Sequence, residues 1–419
     1  MTNHDNPARD PERGVVGTAD PKTGIFRHGF GLKGDVAANI AGDYLCPVVE
    51  RLKAAGYHLD LGPLQIHLAR EFGFCYGVDK AVDYSYQTRR MFPDRRIFLT
   101  TEIIHNPSVN KRLLDMGVQF LNGQYKGTTT VDDLTPEDVV ILPAFGASVQ
   151  EIERLRARGV TLVDTTCGSV IHVWKRVEKY AGEGFTAVIH GKYSHEETIG
   201  TSSRVTQYPG GSYVVVRDKL EARLLCDHIT GKVPAAVILD RFARAVSPGF
   251  DPGRDLVRVG VANQTTMLSS ESLEIAGMIR DALAERYGAD QLDGHFRNFD
   301  TICSATQERQ DAMHTMCALG LDLIIVVGGF NSSNTGHLVE IAATYAPAYH
   351  IEDASYLVSA TELRHKRPGA AGIDTERNWL PPLPLRIGFT GGASTPNRAV
   401  GQAIQRMVEL CGLSLKETE

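Results

Sequence analysis

The sequence predicts an α/β protein built from parallel sheets, and three observations carry that prediction. Short apolar runs alternate with amphipathic helical stretches from about residue 62 onward. Several of those runs end in a small polar turn that leads straight into a helix. Glycine is abundant, at 41 of 419 residues, which suits many tight strand-to-helix turns.

Taken in order, residues 1–22 read as a flexible arm of Asn, Asp, Pro, Arg and Gly, and residues 36–57 have helical spacing. Strands are expected at Leu64 to Leu68, Ile97 to Leu99, Val139 to Leu142, Leu162–Val163, Ala187 to Ile189, Tyr213 to Val216, Val257 to Ala262, Leu323 to Val327, Ala348 to Ile351 and Leu385 to Phe389. Helices are expected over 81–92, 149–158, 169–183, 270–287, 307–319 and 337–345, with a last helix near the C-terminus. The Pro- and Gly-containing stretch 228–254 reads as an insertion.

Composition narrows the function classes. Apolar residues make up 42% and charged residues 22%, ordinary for a globular protein, and the formal charge of −6 argues against a nucleic-acid binder. No apolar run reaches the roughly 18 residues a membrane span needs. The early acids and missing apolar leader argue against a secretory or transit segment, so a bacterial cytoplasmic protein is expected.

Five polar turns follow predicted strands: Pro143 to Ser148, Gly191 to Glu197, Asn263 to Thr266, Gly328 to Asn334 and Thr390 to Ser394. Each alone reads as a helix cap. Together, with no Walker loop or G-x-G-x-x-G among them, they point to an anion pocket beyond the strand ends.

The seven cysteines are odd in number and widely spaced, which speaks against a disulfide framework. Cys46, Cys226, Cys317 and Cys411 lie among apolar residues and read as small core side chains. Cys75, Cys167 and Cys303 differ. Cys75 sits in a glycine turn, and the other two share Asp-Thr-x-Cys ahead of a helix. A helix N-terminus is expected to lower a thiol pKa and ready it for metal. Three equivalent thiolates from three α/β units suggest a pseudo-threefold arrangement around one centre. On spacing alone, a [4Fe–4S] cluster with one iron not held by the protein, zinc with a histidine, and no metal all remain open.

These motifs resemble the 4-hydroxy-3-methylbut-2-enyl diphosphate reductase family, also called IspH or LytB, from about residue 62 to the C-terminus. The match includes Gly-Phe-Cys-x-Gly-Val at Cys75, Ile-Ile-His-Asn at His105, Asp-x-Thr-Cys at Cys167 and His195-Glu196-Glu197. It continues through Asn263-Gln264-Thr265-Thr266, Ile-Cys-x-Ala-Thr at Cys303, Asn331-Ser332-Ser333-Asn334 and Gly392-Ala393-Ser394-Thr395-Pro396. The resemblance implies three pseudo-threefold-related lobes, each a small mostly parallel sheet flanked by helices, around a central Fe–S site. The expected organisation is an extension over 1–60, then lobes over 61–165 (Cys75), 166–300 (Cys167, with an insertion at about 228–256) and 301–419 (Cys303 and the C-terminal helix).

It further implies one [4Fe–4S] cluster on Cys75, Cys167 and Cys303 with an open iron. The implied reaction is two-electron, two-proton removal of an allylic hydroxyl, giving isopentenyl and dimethylallyl diphosphate in the last step of the methylerythritol phosphate route. Glu197 matches the family's acid, and Thr265 would relay or position its proton. His105, His195, Ser332, Asn334 and Ser394 match diphosphate contacts, with Ser333, Thr266 and Thr306 as neighbours. The electron donor implied is ferredoxin, or flavodoxin. One departure stands out: Phe145 occupies a turn where many members carry a second histidine. With the N-terminal extension and the insertion, it resembles the branch found in cyanobacteria and plastids. An Fe–S sensor without turnover and a metal-dependent hydrolase of a phosphorylated metabolite are the alternative readings.

Overall fold

The computed structural model describes residues 9–10, 14–15, 19–20, 24–299, 301–370 and 372–415. Most of the arm expected over 1–22 therefore lies outside the described residues.

Three mostly parallel sheets form the body, and each repeats one strand order. In the first, Ile97–Leu99 pairs with Val118–Phe120 on one side and Val139–Leu142 on the other, and Val139–Leu142 pairs with Thr161–Asp164. In the second, Thr186–His190 lies between Tyr213–Val216 and Val259–Asn263, followed by Phe296–Asn298. In the third, Leu323–Val327 lies between Ala348–Ile351 and Leu385–Gly391, followed by Leu64–Leu68. Counting along each repeat, the spatial order is 2-1-3-4 every time, all parallel. Such an order puts a switch point between the first and third strands, where crossovers leave in opposite directions and a crevice opens at the C-terminal ends.

The fourth strand of the third sheet comes from the beginning of the chain. This corrects the expected boundary at residue 61: Leu64–Leu68 belongs to the third sheet and not to the lobe that follows it in sequence. Apolar periodicity marks a strand but carries no information about its hydrogen-bond partner.

Both faces of the first and third sheets are covered, so their strands read as continuous apolar runs. Val139 and Ile141 enter one core while Val140 and Leu142 enter another. Leu323 and Ile325 divide from Ile324 and Val326 in the same way. The insertion folds into short helices, Ala235–Arg241 and Pro252–Asp255, and buries Ile238, Phe242 and Leu256 in the second lobe's core.

The single helix expected over 36–57 is two, Lys33–Tyr44 and Pro47–Ala54. Pro47 has no N–H to continue the first helix and begins the second. The first packs on Tyr76–Met91 and the second on Asn397–Leu410. Asp43 accepts from Tyr86 Oη at 2.6 Å and from Arg112 Nε at 2.9 Å, tying the extension to the first lobe. The extension also adds Ile25–Phe26 beside Thr161–Asp164 and His58–Asp60 beside Leu64–Leu68. Cys46, Cys226 and Cys317 are buried as expected, and Cys411, at the C-cap of the last helix, is half-buried against the third lobe's core. No helix among the described residues is long and apolar enough to cross a membrane.

Candidate active site

Each fourth strand leads to one of the three distinctive cysteines, and each cysteine begins a helix that packs in the next lobe. Cys75 follows Leu64–Leu68 of the third sheet and opens Tyr76–Met91, whose Val78, Ala81 and Val82 lie in the first lobe's core. Cys167 follows Thr161–Asp164 and opens Gly168–Gly182, whose Val173 and Val177 lie in the second lobe's core. Cys303 follows Phe296–Asn298 and opens Ser304–Cys317, whose Met313 and Met316 pack in the third. The chain thus passes between lobes three times, each time through a cysteine, and the thiols meet because the lobes do. Asp300, part of the motif before Cys303, lies outside the described residues.

The turns after the first and third strands complete the site. From the first sheet come His105 and Phe145, from the second His195, Glu197 and Thr265, and from the third Ser332, Ser333, Asn334 and Ser394. Every one of these, with Cys75, Cys167 and Cys303, lines a single cavity of about 100 Å³, as do Thr266 and Thr306. An outer chamber of about 590 Å³ shares His105, His195, Ser332 and Ser333 and adds Lys192, Lys366 and Arg367.

Glu197 is buried at 2% exposure. Its Oε1 accepts from the Thr265 backbone N–H at 2.6 Å, and Oε2 faces Thr265 Oγ1 at 3.0 Å. Burial raises the carboxyl to about 7, against the lowering effect of those two bonds. Thr306 Oγ1 donates to the Thr265 carbonyl at 3.0 Å and braces that turn. His195 is pushed down to about 3, first by burial and then by His105 and Lys192.

The polar wall is held by its own hydrogen bonds. Ser332 Oγ caps its helix at Thr335 N, and Ser394 Oγ lies 3.4 Å from Ser332 Oγ. Asn334 Oδ1 accepts from Ala393 N at 2.8 Å, which leaves its buried Nδ2 without a partner. An orphaned donor beside several hydroxyls suits an anionic ligand. Phe145 stacks on His105, with ring centroids 4.8 Å apart and planes at 12°.

The three cysteines are free thiols, and none makes a side-chain cap bond at its helix. The lowered thiol pKa expected at helix N-termini is corrected here: burial raises both Cys75 and Cys167, outweighing the backbone N–H bonds from Val78 and Ser169. A bound cation would favour the thiolate form at Cys75 and Cys167 against that burial. Among the described residues the three sulfurs do not all lie within 4.8 Å of one another. A single zinc with Zn–S bonds of about 2.3 Å would draw its sulfurs to roughly 3.8 Å apart. Three thiols that line one cavity without all lying within 4.8 Å of one another are a donor set that suits an iron–sulfur group. His105, His195 and Glu196 do come within 4.8 Å of each other, but the two rings already engage one another.

Sequence reasoning missed three residues here. Ser169 Oγ lies 3.4 Å from Cys303 Sγ, Gln264 Nε2 reaches Thr266 Oγ1 at 2.9 Å, and Glu102 contacts His105. Ser169 and Glu102 stand within three residues of a recognised motif residue, and Gln264 lies inside a quoted motif. Adjacency was the available signal.

Fold and site together define a class: a parallel α/β protein of three like sheets whose strand-end turns close on one cavity holding three free thiols and a buried carboxyl. The sequence profile of the LytB protein family matches residues 66–408. The 4-hydroxy-3-methylbut-2-enyl diphosphate reductase of Thermosynechococcus vestitus is 48% identical over 92% of this chain and 94% of its own. That of Gloeobacter violaceus is 46% identical over 93% of each. Among solved structures, an (E)-4-hydroxy-3-methyl-but-2-enyl diphosphate reductase, described as the terminal enzyme of the non-mevalonate pathway, superposes with a TM-score of 0.50 and 26% identity. It covers 82% of this chain and 99% of that one. The Plasmodium falciparum reductase shares the fold, with a TM-score of 0.58, 21% identity, and coverage of 84% and 90%. The chain belongs to the LytB family.

Proposed function

We propose that this protein reduces (E)-4-hydroxy-3-methylbut-2-enyl diphosphate to isopentenyl and dimethylallyl diphosphate, the last step of the methylerythritol phosphate route. Two electrons and two protons enter, the allylic C–O bond breaks, and the hydroxyl leaves as water. The observation that carries this reading is the shared cavity, lined by three free thiols, a buried acid held near neutral pKa and an anion-suited polar wall.

Cys75, Cys167 and Cys303 would hold a [4Fe–4S] cluster with one iron open, which when bound supplies electrons and a Lewis-acid position for the substrate's oxygen. Glu197 is the proton donor, and Thr265 holds its carboxyl with two hydrogen bonds. His105, His195, Ser332, Ser333, Asn334 and Ser394 receive the diphosphate, with the Asn334 Nδ2 donor completed by a phosphate oxygen. Lys192, Lys366 and Arg367 line the outer chamber beside Glu102, Glu196 and Glu340 and offer the anion cationic contacts there. Ferredoxin, or flavodoxin, is the electron donor.

A sensor without turnover would have no use for a buried acid beside the thiols, so Glu197 favours the enzyme. The test is anaerobic turnover of the hydroxylated allylic diphosphate with a reduced dye. Product formation supports the reading; a fully iron-loaded protein that forms none removes it.

A further inference from the structure

The histidines at the cavity mouth belong to a hydrogen-bond chain that runs in one direction. The Glu197 backbone N–H donates to His195 Nδ1 at 3.1 Å, so the His195 proton sits on Nε2. That nitrogen lies 3.2 Å from His105 Nε2. His105 therefore accepts through Nε2 and carries its own proton on Nδ1, which faces Glu102 Oε2 at 3.1 Å. Gln124 Nε2 donates to the other Glu102 oxygen at 2.6 Å. Glu102 thus accepts on both oxygens, as an ionised carboxylate does. The stacked Phe145 holds one face of the His105 ring, and Ser394 Oγ donates to the His105 carbonyl at 3.3 Å.

As it stands, this chain suits a diphosphate only in part. Phosphate oxygens accept, and His195 Nε2–H can turn its bond to them. His105 Nε2 offers a lone pair, which would repel them. We infer that His105 takes up one proton when a diphosphate binds, and that Glu102 is the positioning residue that holds the Nδ1–H of the resulting imidazolium and balances its charge. This rests on the diphosphate reading above and adds a residue and a proton to it.

The groups facing the His105 ring favour that outcome. Glu102 comes from its own turn, Phe145 from the neighbouring turn of the same sheet, and Glu196 from the second lobe, its Oε2 3.9 Å from His105 Nε2. An aromatic face and two carboxylates all prefer a cation. His195 is held neutral by its bond from Glu197. Lys192, His337, Glu340, His350, Lys366 and Arg367 line the outer chamber, and their mixed charge faces the ligand as well.

The test is calorimetric titration of isopentenyl diphosphate into the oxygen-free, iron-loaded protein, in several buffers of different ionisation enthalpy. At about pH 8 the terminal phosphate, which ionises near 6, is already charged, so protons taken up go to the protein. The wild type is expected to take up about one proton per ligand bound. E102Q keeps the side chain's shape and a hydrogen-bonding oxygen but not the charge. It is expected to lose most of the uptake and to bind about tenfold more weakly, with an unchanged visible spectrum. Wild-type uptake near zero, or E102Q uptake equal to wild type, overturns the inference. If E102Q does not fold, H105N replaces it, and persisting uptake in H105N overturns the inference equally. Failure of the wild type to bind isopentenyl diphosphate at all would remove the diphosphate reading, and this inference with it.

Discussion

Burial raises the pKa of a carboxyl group by penalising its charged form, and Glu197 is buried in the wall of the cavity. Its folded value of about 7 lies above the usual carboxylate range because burial outweighs the two Thr265 bonds. The acid form is therefore present below about pH 7 and lost as pH rises through it. The pH profile of kcat/KM is expected to fall on its alkaline side near that value. Glu197→Gln should keep its iron, lose roughly a hundredfold or more in turnover, and lose that limb. Unchanged turnover would clear the residue of the proton role. Phe145 acts differently: it cannot bond phosphate, yet its ring fixes His105 face to face. Phe145→Ala should raise KM for the diphosphate roughly two- to tenfold with a smaller change in kcat, as steady-state kinetics would read. The stacking partner was invisible in the sequence, which marked only that a histidine was missing.

At the scale of elements, the crossover from strand to cysteine to helix builds the site. It needs room at one point in particular: a Cβ added at Gly77 would collide with Cys167 Sγ. Alanine is the better helix former by up to about 1 kcal/mol, so a purely local argument makes Gly77→Ala stabilising. The clash should win. The variant is expected to retain its circular dichroism while losing most of its iron, measured per chain. Iron content equal to wild type would show that the Cys167 side chain can give way. Most of the longer strands and helices were legible from periodicity. Val118–Phe120 was not, because three residues carry too little pattern. Pro107–Asp115 was legible and overlooked: Asn106 accepts from Val109 N as its cap, and Pro107 opens the helix.

At the scale of the molecule, one lobe supplies each crossover and none can be spared. Cys75→Ala, Cys167→Ala and Cys303→Ala are expected to lose iron to the same extent. One variant keeping its iron while the others lose it would mean that the three positions are not equivalent. The extension is part of this frame. It adds a strand to the first and third sheets and a helix to each of the first and third lobes, clasping the two lobes between which Cys75 lies.

By itself, the sequence determined the alternation of strands and helices, the three thiols, and the identity of the polar turns. These are local patterns, set by side-chain periodicity and by which residues can cap a helix or bind a metal. Only the tertiary structure decided that Leu64–Leu68 closes the third sheet, that the sheets share one strand order, and that Glu102, His105 and His195 pass hydrogen bonds in a single direction. The physical reason is that strand pairing and ring orientation are set by partners distant along the chain. A backbone N–H or an imidazole nitrogen carries no mark in the sequence of the acceptor it will find.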